Sequence, residues 1–568
     1  MGQPRGGADE GLGEDGLTRE RRWLDRFFES YYDRRPVNAT FIGVHDHDHR
    51  LPDFSESGAG DTVAEMEGLL RESDGSAGAS ASERLDLRLA RGYLRTQLWE
   101  YRGEHFHRGN PSTYTGEAVF AVMALFLTEF APLAERVAAA VARMEAIPGF
   151  LQQASENVRR APLAWTDRAM RECAGALAFF REGVGLLAAE KAIGLPAFAT
   201  AAEHAAAAFA TFHDHLEGLR RSPSERYAAG EEALGLYLRD GHFLTEAADD
   251  IARYAEAELA EAKGYLEAHA GDFGARTPEE AMASLSLLHP STETYYARYQ
   301  ELWDEARALA EERGLVTWGE AALRYVPRPA WARAAAPHLY FLFYRSPAAF
   351  NRPAIHDYLV TPVDRALPVA EQQRLLESNN DSALKLNHVV HHGGIGHHLQ
   401  NERAFSAASR IGQVAAVDCA SRIALFCGGT MAEGWACYAT DLMSEAGFLT
   451  PLEKYAERHT RIRMCARAVV DVRLHQGRLS LDEAADYYGK HAGMPPDAAR
   501  AEAVKNSMFP GAAVMYVMGT DGIHRLRREL SARANARFDL RAFHDQLLSY
   551  GSVPVSLVAE AMRARPAC

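Results

Sequence analysis

The chain has 568 residues, of which 47% are hydrophobic and 24% charged, as in an ordinary globular protein. Its net charge of −15 argues against nucleic acid as a partner, because binding phosphates requires a basic face. The length exceeds what one simple core accommodates, so we expect two or three subdomains.

The sequence also bears on location. Its N-terminal residues are Gly-rich and acidic and lack the apolar stretch of a signal peptide. The longest strongly apolar run, AVFAVMALFL at 118–127, is too short to span a bilayer. Six cysteines without paired spacing suit a reducing compartment. These features predict a cytoplasmic protein with no membrane partner, and they leave the oligomeric state open.

Helical periodicity dominates the chain. Residues 1–17 are predicted to form a disordered tail, after which apolar residues recur at three- and four-residue spacing. A Gly/Ser/Ala linker is predicted at 71–83, and residues 84–270 read as nearly continuous helix. At 336–363, aromatic residues alternate between prolines, which favours a short strand or hairpin. The predicted class is therefore mainly α with a small β element.

A histidine-rich stretch, HHGGIGHHLQ at 391–400, follows the predicted β element. His388 lies four residues before His392, a spacing that places two imidazoles on one helix face. The three glycines should end this helix soon after His392 and let the chain turn, so that His397 faces back. Five histidines around such a turn indicate a metal or catalytic site rather than polar groups at a helix end.

A third ligand candidate is Glu433, near the start of the helix predicted from GGTMAEGWACYATDLMSEAG at 428–447. Catalytic zinc is usually held by three protein donors, among them imidazole nitrogens and carboxylate oxygens. The alternative is local: Thr430 and Glu433 have capping-box spacing, so the carboxylate would only bind the Thr430 amide. The spacing alone does not decide between these two roles.

Several motifs, in the same order along the chain, resemble the bacterial domain-of-unknown-function family 885. That family typically carries His-Glu-x-x-Pro-Gly-His-His-Leu-Gln and, further on, Glu-Gly-Trp-Ala. This chain has HHGGIGHHLQ and then EGWACY, which begins at Glu433. The opening FFESYYDRRPVNATFIGVHDH, FPGAAVMYVMG with Tyr516, and FDLRAFHDQLLSYGSVP with His544 are also similar to the family. The resemblance therefore extends over nearly the whole chain.

The resemblance implies a long-helix, deep-groove fold similar to zinc carboxypeptidases of the carboxypeptidase Taq type. An N-terminal helical region at 18–335 would form one wall of the groove, and a catalytic-like region at 336–568 would hold the metal. Carried over by position, the metal ligands fall on His391, His397 and Glu433, with His398 as the alternative to His397. The ion would be divalent, with zinc expected before iron, nickel or cobalt.

His392 departs from the pattern of the resembled family. It stands where the family has the glutamate that would take a proton from water, and Ile395-Gly396 stands in place of Pro-Gly. An imidazole, whose ordinary pKa is about 6.5, can serve as a general base, a role that contributes about 10²–10⁴-fold to a rate. Alternatively, His392 is a further metal ligand in a nitrogen-rich site.

Two more residues are candidates for catalysis. Tyr516 would donate its hydroxyl to a developing oxyanion, and His544 would be a second acid or an orienting group. The alternatives are structural. Tyr516 would then be a core aromatic in the apolar stretch VMYVMG, and His544 an ordinary histidine on a helix surface.

These observations predict a metal-dependent hydrolase that cleaves a peptide or amide-like bond in a small-molecule or peptide-like substrate. The first alternative is a non-hydrolytic lyase, cyclase or isomerase of bacterial secondary metabolism on the same scaffold. The second is a helical binding protein without catalysis. Bound metal would separate the first two from the third, and the exchange His392→Glu would separate hydrolysis from the non-hydrolytic reactions.

Overall fold

The computed structural model describes residues 19–73, 80–333, 335–336, 349–351, 355–414 and 428–564. Helices dominate these residues, which confirms the predicted mainly α class. The predicted tail at 1–17 and the middle of the predicted 71–83 linker lie outside the described residues. Among the described residues, no helix combines the length and apolar character needed to cross a bilayer.

The first part of the chain is a succession of helices. They are α1 (Arg19–Arg34), α2 (Pro36–Ile42), α3 (Glu56–Glu72), α4 (Ala81–Arg102), α5 (Ser112–Leu127), α6 (Leu133–Asn157), α7 (Leu163–Ala178), α8 (Val184–Lys191), α9 (Pro196–Leu219), α10 (Glu231–Leu236), α11 (Ala248–His269), α12 (Pro278–Ala283) and α13 (Tyr295–Glu312). Prolines explain several of the breaks within 84–270, since Pro111, Pro132 and Pro162 each stand immediately before a helix. The Ala-rich helix α9 lies against α6, as small side chains allow.

The later helices carry the candidate site. They are α14 (Ala330–Arg333), α15 (Val369–Ser378), α16 (Asp381–Ala383), α17 (His397–Ala404), α18 (Arg410–Val414), α19 (Gly429–Ala446), α20 (Pro451–His475), α21 (Leu481–Ala492), α22 (Pro496–Met508), α23 (Val514–Ala534), α24 (Leu540–Leu548) and α25 (Val555–Arg563). Short 3₁₀ helices span Ala270–Phe273, Ser284–Leu287 and Asn535–Arg537, and π-helical segments span Phe179–Gly183, Tyr237–Gly241 and Leu384–His392.

The β element has two strands, β1 (Ala322–Pro327) and β2 (Ile355–Val360). The second strand lies in the predicted segment 336–363, whereas the first lies upstream of it and was not predicted. The strands pair in parallel, with Tyr325 opposite Tyr358. This pairing is not a hairpin, because a hairpin joins antiparallel strands by a short turn. Residues 337–348 and 352–354 of the predicted segment lie outside the described residues, so a hairpin within it stays a prediction.

Long-range helix packing joins the parts of the chain that carry the candidate residues. Helix α11 lies along α20, and α13 lies against the π-helical segment Leu384–His392. Helices α19 and α23 cross closely at two glycines, where a β-carbon on Gly434 or Gly519 would collide with the backbone of the facing helix. The first two of these contacts cross the predicted division between residues 335 and 336, and that division stays a prediction.

Candidate metal centre

A glycine-rich turn shapes the histidine segment. The π-helical segment ends at His392, and α17 begins at His397, as the glycine positions predicted. Gly394 has a φ of +41°, which favours glycine. A β-carbon on Gly396 would collide with the carbonyl oxygens of Val390 and His391. The fold-back of the chain onto the end of its own helix therefore depends on glycine.

The turn and α19 bring two imidazoles to one carboxylate. The Nε2 atom of His391 lies 3.5 Å from Oε2 of Glu433, and the Nε2 atom of His397 lies 3.6 Å from the same oxygen. The rings of His391 and His397 are perpendicular, with their centroids 5.1 Å apart. His391, His392 and His397 each offer a ring nitrogen within 4.8 Å of those of the other two.

These separations suit a shared cation. Ligands bound tetrahedrally to zinc at about 2.0–2.2 Å lie roughly 3.3–3.6 Å from one another. The two contacts to Glu433, at 3.5 and 3.6 Å, fall within this range and are longer than good hydrogen bonds. Its Oε2 atom is buried and has no hydrogen-bond partner among the described residues. A buried carboxylate oxygen in that condition is unfavourable unless something else neutralises it, so the donor set fits a divalent metal.

The charges of the site are mutually dependent. Burial favours the neutral carboxylic acid of Glu433, but the facing His397 and His391 imidazoles outweigh it and hold the pKa well below its ordinary value. Burial also lowers the pKa of His391, against the opposing effect of Glu433. The combination is an ionised carboxylate beside an imidazole that favours its neutral form, which is the protonation state that metal ligands require.

The capping-box alternative for Glu433 is wrong. Gly428 precedes the first turn of α19, so Thr430 lies inside the helix. Its hydroxyl accepts a hydrogen bond from the Val555 amide at 3.1 Å instead. The next turn of α19 stabilises the histidine turn, because Trp435 donates its indole N–H to the Ile395 carbonyl oxygen at 2.8 Å.

His398 points elsewhere. Its ring lies against that of His356, with the centroids 5.1 Å apart, and it is buried. Burial lowers its pKa to about 3, so it is neutral at physiological pH. Of the two histidines that begin α17, His397 is therefore the one that faces Glu433.

His392 is oriented as a base or a further ligand. Its Nδ1 atom lies 2.8 Å from the Asn387 carbonyl oxygen, which can only accept, so Nδ1 carries the proton and Nε2 keeps its lone pair. Burial and the neighbouring imidazoles of His391 and His397 hold its pKa well below 6.5. Behind it, the Nδ1 atom of His388 is 2.7 Å from the Tyr358 hydroxyl. The sheet therefore stabilises the histidine segment from one side.

The two other predicted catalytic residues differ in their surroundings. Tyr516 is half-buried, and the Arg467 guanidinium lies 5.2 Å from the centre of its ring. Burial raises its pKa, and the nearby charge of Glu433 adds to that effect. His544 is fully buried, so the helix-surface alternative is wrong. Both of its nitrogens are occupied, by the Tyr438 hydroxyl at 2.8 Å and the Leu315 carbonyl oxygen at 2.7 Å, and its predicted catalytic role has no geometric support.

Sequence reasoning missed three side chains close to these groups. The Cys437 sulfur lies 3.9 Å from Nδ1 of His391. Arg467 and Lys505 bring positive charge to the same region from α20 and α22. The four-residue spacing between Glu433 and Cys437 could have identified the cysteine, but nothing local marks the two cations.

Two solved structures share the fold. One is described as a "putative lipoprotein of unknown function" from Shewanella oneidensis; it is 20% identical, and the alignment covers 96% of this chain and all of that one, with a TM-score of 0.77. The other, a "putative lipoprotein" from Colwellia psychrerythraea, is 16% identical, with coverages of 96% and 99% and a TM-score of 0.75. No curated protein matches the chain.

The similarity to these two structures leaves two predictions untested. At these identities they show the fold alone, so the similarity to carboxypeptidase Taq stays a prediction. The cytoplasmic location also stays a prediction, and the description of both neighbours as lipoproteins does not support it. The sequence profile of the bacterial proteins of unknown function DUF885 matches residues 36–562, which confirms the family predicted from the motifs: the chain belongs to DUF885.

Proposed function

We propose that the protein is a metal-dependent hydrolase that cleaves an amide or peptide-like bond, with His391, His397 and Glu433 as the metal ligands. The observation that carries this proposal is the buried Oε2 atom of Glu433, which has no hydrogen-bond partner among the described residues and faces both imidazole nitrogens at 3.5 and 3.6 Å. Zinc is the expected ion, because two imidazoles and one carboxylate are a common catalytic zinc set.

A divalent ion held there would supply Lewis acidity, polarising a substrate carbonyl and lowering the pKa of water. The protein's own contribution would come from His392, whose Nε2 lone pair is free to take a proton because Nδ1–H donates to Asn387. Tyr516 would donate its hydroxyl to the oxygen that gains charge, since the tyrosine remains protonated beside Glu433.

A second function is favoured by the position of His392. Its ring nitrogen lies within 4.8 Å of those of His391 and His397, which is close enough for all three to bind one ion. A site of three imidazoles and one carboxylate would lack the general base and would suit iron, nickel or cobalt as well as zinc. That arrangement fits a lyase, cyclase or isomerase better than a hydrolase.

The experiment that tests the proposal measures amide cleavage with and without metal. Purified protein is stripped with a chelator, assayed on a panel of N-acyl amino-acid amides and short peptides, and assayed again after one equivalent of zinc. We expect cleavage only in the zinc-loaded sample. In the zinc-loaded His392→Gln variant the turnover rate should fall by about 10²–10⁴-fold, because the base is lost.

The zinc content of the variants separates the alternatives. A His392→Gln protein that keeps its zinc supports His392 as the base, whereas loss of zinc supports His392 as a ligand and the second function. His398→Gln is the matched control, because it changes a buried histidine of the same turn that faces His356. A wild-type protein that binds no zinc, or whose cleavage persists after chelation, would contradict the proposal.

A further inference from the structure

Two cations lie beside the candidate metal centre on helices that do not carry its ligands. Arg467 of α20 donates from Nε to Oε1 of Glu502 at 2.7 Å, and its guanidinium lies over the ring of Tyr516. The Arg467 side chain retains 20% of its exposure, so it borders accessible space. Its two terminal nitrogens make no hydrogen bond within the described part of the chain, and they form the end of a planar fork.

Lys505 lies on the same face of α22 as Glu502, which precedes it by three residues. It is half-buried, and over the described ranges no carboxylate lies within ion-pair distance of its ammonium group and no hydrogen bond satisfies it. Burial lowers its pKa, Glu502 opposes that effect, and the Arg467 charge adds to it. A cation in such surroundings is unfavourable without an anion.

The pair is close enough to the metal centre to act on it. The charge of Arg467 contributes to lowering the pKa of His391, and Lys505 and Glu433 affect each other's charge. Arg467 also contacts the ring of Tyr516. Tyr516 lies one turn before Gly519, and Gly519 packs against Gly434, the neighbour of Glu433, so the Arg467 guanidinium over the Tyr516 ring lies in the same part of the fold as the carboxylate. A molecule bound at His391 and Glu433 would therefore have Arg467 and Lys505 beside it.

The charges at this place do not balance. Arg467 and Lys505 carry two positive charges and Glu502 one negative charge, which leaves one positive charge. A divalent ion bound to the Glu433 carboxylate would add another net positive charge. The chain as a whole, by contrast, has a net charge of −15. A local excess of positive charge in an acidic protein attracts anions.

We infer that Arg467 and Lys505 bind a carboxylate group of the substrate while another part of the same molecule reaches the metal. This inference rests on the proposed function and adds its substrate class, a small compound with a free carboxylate. The two terminal nitrogens of Arg467 match a planar carboxylate, and Lys505 adds a point charge.

The test compares succinate with acetate on the zinc-loaded full chain by titration calorimetry. One acetate ion can bind either at the metal or at the Arg467 and Lys505 pair, whereas succinate has one carboxylate for each of these two places. We expect succinate to bind at least tenfold more tightly than acetate. Lys505→Met should remove most of that difference. Lys490→Met, which removes an exposed lysine in α21, is the matched control.

Each other outcome has a defined meaning. Equal binding of succinate and acetate, or succinate binding unaffected by Lys505→Met, would overturn the inference. Inorganic phosphate that binds more tightly than succinate, with the same dependence on Lys505, would overturn the choice of a carboxylate. Zinc analysis of every sample tests the proposed function separately, since metal-free wild type that binds succinate better than metal-free Lys505→Met would still support the pair.

Thermal unfolding tests whether Lys505 serves only to stabilise the fold. Lys505→Met removes a cation without a counter-ion, so the midpoint of ligand-free protein should stay the same or rise. Arg467→Gln should weaken succinate binding as well, but it also frees Glu502 and is expected to lower the midpoint. A drop of several degrees in Lys505→Met would show that the lysine stabilises the fold and would count against the inference.

Discussion

Two pairs of histidines in this protein contrast in their hydrogen bonding. His475 has both ring nitrogens occupied, by the Ala229 amide at 3.1 Å and the Asn506 carbonyl oxygen at 2.9 Å. His544 is occupied in the same way by Tyr438 and Leu315. These imidazoles join distant segments of the chain and have no capacity left for a ligand.

The histidines at the end of the π-helical segment and at the start of α17 behave differently. His391 and His397 direct nitrogens at a Glu433 oxygen that has no hydrogen-bond partner among the described residues. A charged oxygen in that condition is unfavourable, and a bound cation would remove the cost. Burial alone therefore does not distinguish the two groups of histidines, whereas the accounting of their hydrogen bonds does.

The largest effect is expected from a change in the turn between His391 and His397. Gly396→Ala places a β-carbon against the carbonyl oxygens of Val390 and His391, so the turn cannot form as it is. We expect a loss of about 4 kcal/mol or more in the free energy of unfolding, together with loss of zinc binding. Urea unfolding and zinc analysis measure both.

Gly264→Ala is the matched control for that change. Gly264 is exposed within α11, and a β-carbon there would contact nothing. Alanine should therefore stabilise the helix by about 0.5–1 kcal/mol. Equal stability of the two variants would show that the turn tolerates a side chain.

Glu433→Gln tests the carboxylate itself. We expect zinc affinity to fall more than about 100-fold, since even residues that only orient a ligand contribute 10–100-fold. The metal-free variant should be as stable as the wild type or more stable, because a buried charge is removed. Chelator competition measures the zinc affinity, and thermal unfolding measures the stability of the metal-free variant. Unchanged zinc affinity would mean that the metal binds elsewhere.

His544→Leu makes the opposite change in the other group. It leaves the Tyr438 hydroxyl and the Leu315 carbonyl oxygen without their partner, which should cost about 2 kcal/mol of stability. Zinc affinity should remain that of the wild type. Denaturant unfolding followed by zinc titration checks both, and weaker zinc binding at normal stability would restore a role in the site for His544.

The smallest effect is a dependence of stability on pH. Burial lowers the pKa of His544 to about 4 in the folded protein, whereas an unfolded histidine titrates near about 6.5. His544 binds more protons in the unfolded chain between these values, so its contribution to stability falls as pH drops from about 6.5 to about 4, at no more than about 1.4 kcal/mol per pH unit. Urea titrations at several pH values should show a shallower slope in His544→Leu, and an identical slope would contradict this assignment.

Local chemistry explains what the sequence could predict. The turn after His392 follows from the conformational preferences of the glycines at 393, 394 and 396. The choice of His391, His397 and Glu433 follows from residue type and the family motifs. The predicted helices follow from periodicity and proline positions. None of these depends on knowing which distant segments meet.

Long-range packing explains what the sequence could not predict. The parallel pairing of β1 with β2, the crossing of α19 and α23 at Gly434 and Gly519, and the burial of His544 all depend on contacts between distant segments. The Arg467 and Lys505 pair likewise arises only because α20 and α22 pack together. In this chain, composition and spacing identify the ligand candidates but not the groups around them.

Anomalous diffraction from crystals grown with one equivalent of zinc tests the metal centre most directly. The geometry predicts a peak at the zinc edge about 2.0–2.2 Å from Nε2 of His391, Nε2 of His397 and Oε2 of Glu433. A peak at another group of side chains, or a fully zinc-saturated crystal with no peak between these three atoms, would contradict it.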